Sequence, residues 1–255
     1  MQKAYEERYH QAELDYWWFV GRRHIVRMLV EQERPDKDSR ILEIGCSGGL
    51  LMKELQALGL GQPTGIDISS DAIALCRRAG LDAHQMDAQE LALPASSFDV
   101  VTASDVLEHL VDEAKAVQEW KRVLKPAGLL IVFVPAFKLL WSKHDEANKH
   151  YRRYRRARLV HLLEFSGYVI ERSSYWNMAL FAPIAAVRLL GRLRAGRDDP
   201  KAEGDLTETP KLVNFLLASI LRLENWFLRL GVNWPFGVSV FVLARKASTI
   251  GPTTL

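Results

Sequence analysis

The residues best placed to do chemistry sit at the ends of four apolar runs between Leu42 and Asp105. The first is LEIGCSGG, Leu42 to Gly49, an acidic residue and glycines closing one run just before a helical stretch. A glycine-rich strand-to-helix turn lets a ligand approach the backbone while the helix start offers unpaired N–H groups. It is not the GxGxxG of a dinucleotide site, and taken alone it also fits a tight turn with no ligand. About 20 residues on, Gly65-Ile66-Asp67 ends the next run in a carboxylate suited to accept both hydroxyls of a ribose. Such an acid at a buried strand end is costly unless paired. Met86-Asp87-Ala88 offers a third acid, suited to an adenine amino group, and Ala103-Ser104-Asp105 ends a fourth run. Open α/β sheets bind ligands at the carboxyl ends of their strands, so the four ends predict one crevice.

The elements that must position these residues follow from periodicity. From Arg40 short apolar runs alternate with helical stretches: RILEIG, PTGIDI, DAHQM, FDVVTAS and GLLIVFVP, then GYVIERSSYW and GVSVFVLAR. Near-continuous apolar strands separated by helices predict a doubly wound, mostly parallel sheet of α/β class. Lys125-Pro126-Ala127-Gly128 is read as stopping a helix immediately before a strand. Residues 135–158 read as a long polar and basic connection. The chain divides into a helical N-terminal segment (1–39), a core (40–177), an amphipathic helical insertion (178–236) and a final core strand with tail (237–255).

LEIGCSGG, GIDIS, MDAQELALPASSFDVV, SDVLEHL and VLKPAGLLIVFVP resemble the successive motifs of class I S-adenosylmethionine-dependent methyltransferases over about residues 40–135. Similarity is greatest to the ubiquinone/menaquinone-biosynthesis-like subgroup. The resemblance implies a Rossmann-like, seven-stranded sheet whose last two strands are antiparallel, S-adenosyl-L-methionine as cofactor and S-adenosyl-L-homocysteine as product. It assigns Glu43, Gly45 and Gly49, with Cys46 in the same turn, to the methionine end, and Asp67 to the ribose. Ile68, Asp87 and Ala88 go to the adenine, and Ser104 lies beside the sulfonium. The family's usual GCGxG here reads Gly45-Cys46-Ser47-Gly48-Gly49, so Gly48 is expected to supply the flexibility of the missing middle glycine.

Methyl transfer from a sulfonium needs alignment and, for a protonated acceptor, a base, but no protein nucleophile. His109, which resembles a histidine frequent in the quinone-methylating subgroup, and His144 and His150 are the candidate bases; a capping or packing role for His109 is the alternative. The segment HDEANKHYRRYRRAR crowds Lys149, Arg152, Arg153, Arg155, Arg156 and Arg158 around Tyr151 and Tyr154. It reads as a solvated face, a site for an anionic acceptor, or a nucleic-acid contact, and arginine forks suit phosphate or carboxylate. Asp145, Arg153 and Tyr154 are the acceptor-side candidates here, with Trp17 and Trp18 of YWWF in an N-terminal lid that could equally be core.

Composition narrows the classes. The 255 residues are 48% hydrophobic and 25% charged with net charge +3, ordinary for a globular chain and too weakly basic to indicate nucleic acid; no recognition module for it is visible. Cys46 and Cys76 lie in neither a CxxC nor a zinc spacing, so no disulfide framework or metal site is read. The opening residues lack the apolar run of a secretory signal, and no stretch of about 18 residues is charge-free, so a cytoplasmic chain that does not span a membrane is expected.

In the insertion's second helix Lys211, Asn214, Ala218, Arg222, Asn225 and Arg229 form one stripe and apolar residues the remainder, with Glu224 the exception. The first helix carries Arg188, Arg192 and Arg194. So wide an apolar face must be buried against the domain, a second subunit, or the interfacial zone of a membrane. The reading that results is a methyltransferase for a small-molecule or lipid-linked acceptor of quinone, polyprenyl or glycan type, with an RNA or protein methyltransferase and a non-catalytic cofactor-binding module as alternatives.

Overall fold

The computed structural model describes residues 10–194 and 209–247. The side chains of Arg192 and Arg194, residues 195–208 of the polar linker, and residues 1–9 and 248–255 lie outside the described residues. Within them, seven strands form one sheet in the order β3-β2-β1-β4-β5-β7-β6. The strands are β1 (Arg40–Ile44), β2 (Gln62–Asp67), β3 (Asp82–Gln85), β4 (Phe98–Ser104), β5 (Leu124–Pro135), β6 (Tyr168–Trp176) and β7 (Ser239–Lys246). The first five pair in parallel, and β7 runs antiparallel between β5 and β6. Strand order reverses between β1 and β4, and the crevice of such a sheet opens there.

The helices in chain order are α1 (Trp17–Gln32), α2 (Leu50–Ala57), α3 (Ser70–Arg78), α4 (Glu113–Val123), α5 (Lys143–Ala147), α6 (Arg156–Phe165), α7 (Phe181–Arg194) and α8 (Lys211–Arg229), and residues 10–15 are also helical. Local chemistry explains several starts. Ser69 caps α3 by accepting the Ala72 N–H, and Asp112 caps α4 by accepting the Lys115 N–H at 2.9 Å. Both helices carry an acid in the first turn and cations in the last, as the helix dipole favours.

Two apolar layers hold the sheet. Trp120 of α4 and Leu159 and Leu163 of α6 pack with Leu42, Val101, Leu130 and Val242 on one face. Ile25, Val26 and Leu29 of α1 pack with Ile41, Ile131, Phe133 and Phe241 on the other. Each fully buried aliphatic side chain contributes about 1.5–3 kcal/mol. The N-terminal helix therefore belongs to the packed core, and only its first turns reach the crevice.

Three local expectations are corrected. The Lys125–Gly128 segment does not precede its strand but forms an irregular start to β5, with Ala127 at φ 60° and a register shift opposite Phe98 and Val100. The basic connection after β5 contains α5 and runs into α6, nucleated by a Ser142–Asp145 capping box. At the glycine turn, Gly48 is not in the left-handed region; Ser47 itself adopts φ 46° between Gly45 at 73° and Gly49 at 74°. Ser47 holds that conformation with its hydroxyl 2.8 Å from Glu13 Oε2 and 3.1 Å from His10 Nδ1.

In the insertion, α8 turns Asn214, Ala218 and Asn225 of the stripe read as polar towards the protein, while Lys211, Arg222 and Arg229 of that stripe stay exposed. Ala218, Leu221, Asn225 and Leu228 are buried, and Asn225 bonds Trp176 Nε1 at 2.7 Å and the Gly21 carbonyl at 3.0 Å. Glu224 lies on this same face, accepting the Met178 and Ala179 N–H groups at 3.1 Å each. Leu212, Phe215, Leu216, Leu223 and Trp226 are exposed, Leu212 by 70% and Phe215 by 61%. Among the described residues, nothing covers this apolar face. Among the described residues no helix is long and apolar enough to cross a membrane.

Candidate active site

A cavity of about 760 Å³ opens at the carboxyl ends of β1, β2 and β4, within the range of small-molecule sites. Glu43, Gly45, Cys46, Asp67, Ile68, Asp87, Ala88, Ser104 and His109 all line it, bringing sequence-distant candidates together. Gly45 is required where it stands, because at φ 73° a Cβ would come 2.5 Å from the Val106 side chain. At Gly49, a Cβ would collide with Leu81 and Cys76, so this glycine packs the turn onto the domain. The Cys46 thiol, 4.0 Å from that of Cys76, points into a small apolar cluster with Met52 and Leu81.

Asp67 accepts the Ser47 N–H at 3.0 Å and the Ser69 N–H at 2.9 Å, which fixes its carboxylate at the end of β2. Glu43 is different: its Oε2 is buried without a hydrogen-bond partner. Burial, with Cys76, Glu13 and Asp67 nearby, pushes its carboxyl well above the usual range. Asp87 is exposed and accepts the Gln89 N–H at 2.8 Å, while the Ala88 carbonyl is held by Trp120 Nε1 at 2.9 Å. Ser104 donates to Asp105 at 3.0 Å.

The N-terminal side of the cavity is formed by His10, Glu13, Trp18, Phe19 and Arg22. The Arg22 guanidinium sits 4.9, 4.4 and 4.3 Å from the ring centroids of Trp18, Phe133 and Trp176, and 3.5 Å from Asp105. Trp17 does not line the cavity; its ring is in the core. Sequence reasoning assigned no role to Arg22, Glu13 or His10, and only their long-range contacts mark them.

The acceptor-side candidates are divided. His109 faces the cavity, and burial, reinforced by His150, lowers its imidazole to about 4. His150 lies behind it at 4.5 Å between ring centroids, and His144 is 6.1 Å from His150; neither lines the cavity. Asp145, fully buried, accepts His150 Nδ1 at 2.9 Å and a forked Arg153 pair at 2.7 and 2.9 Å. Burial opposes its ionisation, but those two partners win and hold it well below the usual carboxylate range. Tyr154 is also fully buried, with its hydroxyl donating to Glu113 at 2.7 Å.

Asp145, Arg153 and Tyr154 thus reach the cavity only through what they position, because each is satisfied internally. Arg152 and Arg158 also end on Glu113, at 3.1 and 2.6 Å. From the basic run Lys149 lines the cavity, beside Tyr151.

Comparison with known proteins agrees with this geometry. The family described as "Methyltransferase domain" matches residues 42–132, the segment that builds the strand ends. Residues 42–132 are thus similar to a methyltransferase domain. The ubiquinone biosynthesis O-methyltransferase of Albidiferax ferrireducens is 35% identical over 102 residues, covering 37% of this chain and 40% of that protein. The protein of the same name from Xanthomonas oryzae pv. oryzae is 32% identical over 146 residues, covering 49% and 61%. The chain thus spans about two fifths to three fifths of the length of these curated relatives.

Among solved structures, a SAM-dependent methyltransferase from Archaeoglobus fulgidus has TM-score 0.56 at 18% identity, covering 88% of this chain and 94% of that one. The [4+2]-cyclase SpnF has TM-score 0.57 at 23% identity, covering 88% and 80%. These likenesses show the fold alone. S-adenosylmethionine is the cofactor of the methyltransferase-domain family, and the residues present fit it: the unpaired Glu43 oxygen suits the methionine ammonium, and Asp67 is a carboxylate held ready at the second strand end.

Proposed function

We propose that this protein methylates a hydroxyl-bearing small molecule linked to a lipid, of quinone, polyprenyl or glycan type, at the surface of a membrane. The observation that carries the reading is the convergence of an unpaired buried carboxylate, Glu43, and a backbone-braced one, Asp67, in one cavity. When bound, S-adenosylmethionine supplies an electrophilic methyl group on a sulfonium. The protein supplies the rest. Glu43 binds the ammonium end, Asp67 the ribose, and the Asp87–Ala88 corner the adenine edge. Trp18 and Phe19, steadied by Arg22, wall the cavity from water on the N-terminal side. His109 presents a neutral imidazole, able to accept a hydrogen bond from the acceptor hydroxyl.

The names of the curated relatives support a quinone-type acceptor, and the exposed apolar face of α8 supports one that stays in a lipid phase. The inward commitment of Arg152, Arg153 and Arg158 disfavours nucleic acid. Incubation of the protein with methyl-labelled S-adenosylmethionine and a membrane extract should place label in the organic phase. Asp67→Ala should lose that labelling and weaken S-adenosylhomocysteine binding in calorimetry by more than about tenfold, since hydrogen bonds to a charged group are each worth roughly 1.5–3 kcal/mol. Unchanged affinity in the variant, or label in nuclease-sensitive macromolecules, would overturn the reading.

A further inference from the structure

Lys149 stands where the backbone favours a residue without a side chain. Helix α5 ends at Ala147 with Asn148 as its C-cap, and Lys149 follows in the left-handed region at φ 56°, its N–H donated to the Glu146 carbonyl at 3.0 Å. Glycine fills that place after a helix most readily, because a Cβ there carries strain. Strained conformations persist where the surroundings impose them, and they gather at functional sites.

The surroundings here are rigid. The Asn148 side chain donates to the His144 carbonyl at 2.8 Å, the His150 N–H to the Asp145 carbonyl at 2.9 Å, and the Tyr151 N–H to the Glu108 carbonyl at 2.8 Å. On either side of Tyr151, the His150 ring is held by Asp145 and the Arg152 guanidinium by Glu113. Residues 147–151 therefore form a fixed wall, from which Ala147, Asn148, Lys149 and Tyr151 border the cavity.

The other cationic side chains that line the cavity have carboxylate partners: Arg22 lies 3.5 Å from Asp105, and Arg23 bonds Glu54 at 2.8 Å. Among the described residues, Lys149 makes no ion pair and its ammonium no hydrogen bond. Beside it Tyr151 is 58% exposed. An unneutralised ammonium and an open aromatic ring thus share one rigid edge of the cavity, while Arg152, Arg153 and Arg158 of the same run are spent on carboxylates.

We propose that Lys149 and Tyr151 form the acceptor-recognition edge of the cavity, and that the acceptor carries an anionic group, carboxylate or phosphate, which the Lys149 ammonium pairs. Resting on the function proposed above, His109 faces the acceptor hydroxyl. Its ring bonds the backbone of Asn148, the neighbour of Lys149, so the hydroxyl and the anionic group belong to the same head of the acceptor. The Tyr151 ring lies against the apolar body of that head. A lysine acts on such an oxygen as a mobile point charge, without the two-point geometry of an arginine, and so serves carboxylate and phosphate alike. Lys149 selects and orients the acceptor and takes no part in moving the methyl group. A neutral acceptor leaves the exposed ammonium in water at little cost, so the discrimination is roughly three- to tenfold.

The test is an NMR titration of the full-length protein, saturated with S-adenosylhomocysteine, with benzoate, phenyl phosphate and phenol as probes. At least one of the two anions should bind roughly three- to tenfold more tightly than phenol, with the advantage shrinking in high salt, and the tighter of the two identifies the group. Lys149→Gly and Lys149→Asn should abolish the preference while keeping S-adenosylhomocysteine affinity within about twofold of wild type, since both residues suit the left-handed position and preserve the fold. Equal binding of the three probes by the wild type, binding of none of them, or a preference retained in both variants overturns the site. Loss of vesicle co-sedimentation in the variants with the preference retained would place the ammonium against lipid headgroups instead, and a tenfold loss of S-adenosylhomocysteine affinity would assign it to the cofactor. The same titrations without S-adenosylhomocysteine separate the two ideas: a wild type that does not bind that compound counts against the methyltransferase reading, while the anion preference at Lys149 is still read by itself.

Discussion

Glu113 shows how single residues settle the fate of a basic run. Its carboxylate receives the Tyr154 hydroxyl at 2.7 Å, Arg158 at 2.6 Å and Arg152 at 3.1 Å. Burial tends to raise the Glu113 carboxyl, but hydrogen bonds from those three partners lower it on balance. A carboxyl with a depressed folded-state value stabilises the protein above its unfolded value, near 4.5, and loses that contribution as pH falls through the folded one. Glu113→Gln should therefore lower stability at neutral pH by about 1–2 kcal/mol in urea denaturation, with the gap to wild type closing as pH falls below the unfolded value. A gap that stays constant down to acid pH would refute the ionic account. Ser47 makes the complementary point: a serine here adopts a left-handed conformation and gains contacts with His10 and Glu13.

Between elements, the close approach of α1 and α8 carries the packing of the insertion. A Cβ on Gly21 would collide with the Leu221 side chain, so only glycine lets the two helices meet at that point. Around it, Asn225 joins the Gly21 carbonyl to Trp176, and Asn214 accepts the Trp17 N–H at 2.8 Å. Gly21→Ala should cost roughly 1–3 kcal/mol of thermal stability through overpacking and loosen α8 in hydrogen exchange. Unchanged protection of α8 would mean that the contact is not what seats it.

At the scale of the whole molecule, the outer surface of α7 and α8 is the unusual feature. Exposed Phe215, Leu216, Leu223, Trp226 and Leu230 are edged by Lys211, Arg222 and Arg229. Among the described residues of the insertion, the acid is the buried Glu224. An apolar face with a cationic edge and, among the described residues of the insertion, no exposed carboxylate is matched in charge to a bilayer containing anionic lipid. The protein should co-sediment with phosphatidylglycerol-containing vesicles, less so in high salt. Leu223→Glu with Trp226→Glu should abolish binding, and Lys211, Arg222 and Arg229 changed to Glu should reduce it by about fivefold per charge. No co-sedimentation of the wild type would rule this out, and a dimer dissolved by the same substitutions would assign the face to a second copy.

What the sequence by itself determined is what short-range pattern can carry. Alternating apolar strands and helices specify the sheet, and the acids and glycines at strand ends specify the cavity, because side-chain period and chain direction leave few other arrangements. Periodicity groups residues onto faces, as on α8, but does not say which face meets protein when polar residues can bond inward. Asn214, Glu224 and Asn225 do so, and the choice among the surfaces left open for the helix rested on those contacts. Composition likewise could not tell that Arg152, Arg153 and Arg158 are spent on carboxylates, nor that His150 comes to lie beside Glu108 and His109. Partner satisfaction and burial are properties of contacts between distant segments, so only the folded chain decides them.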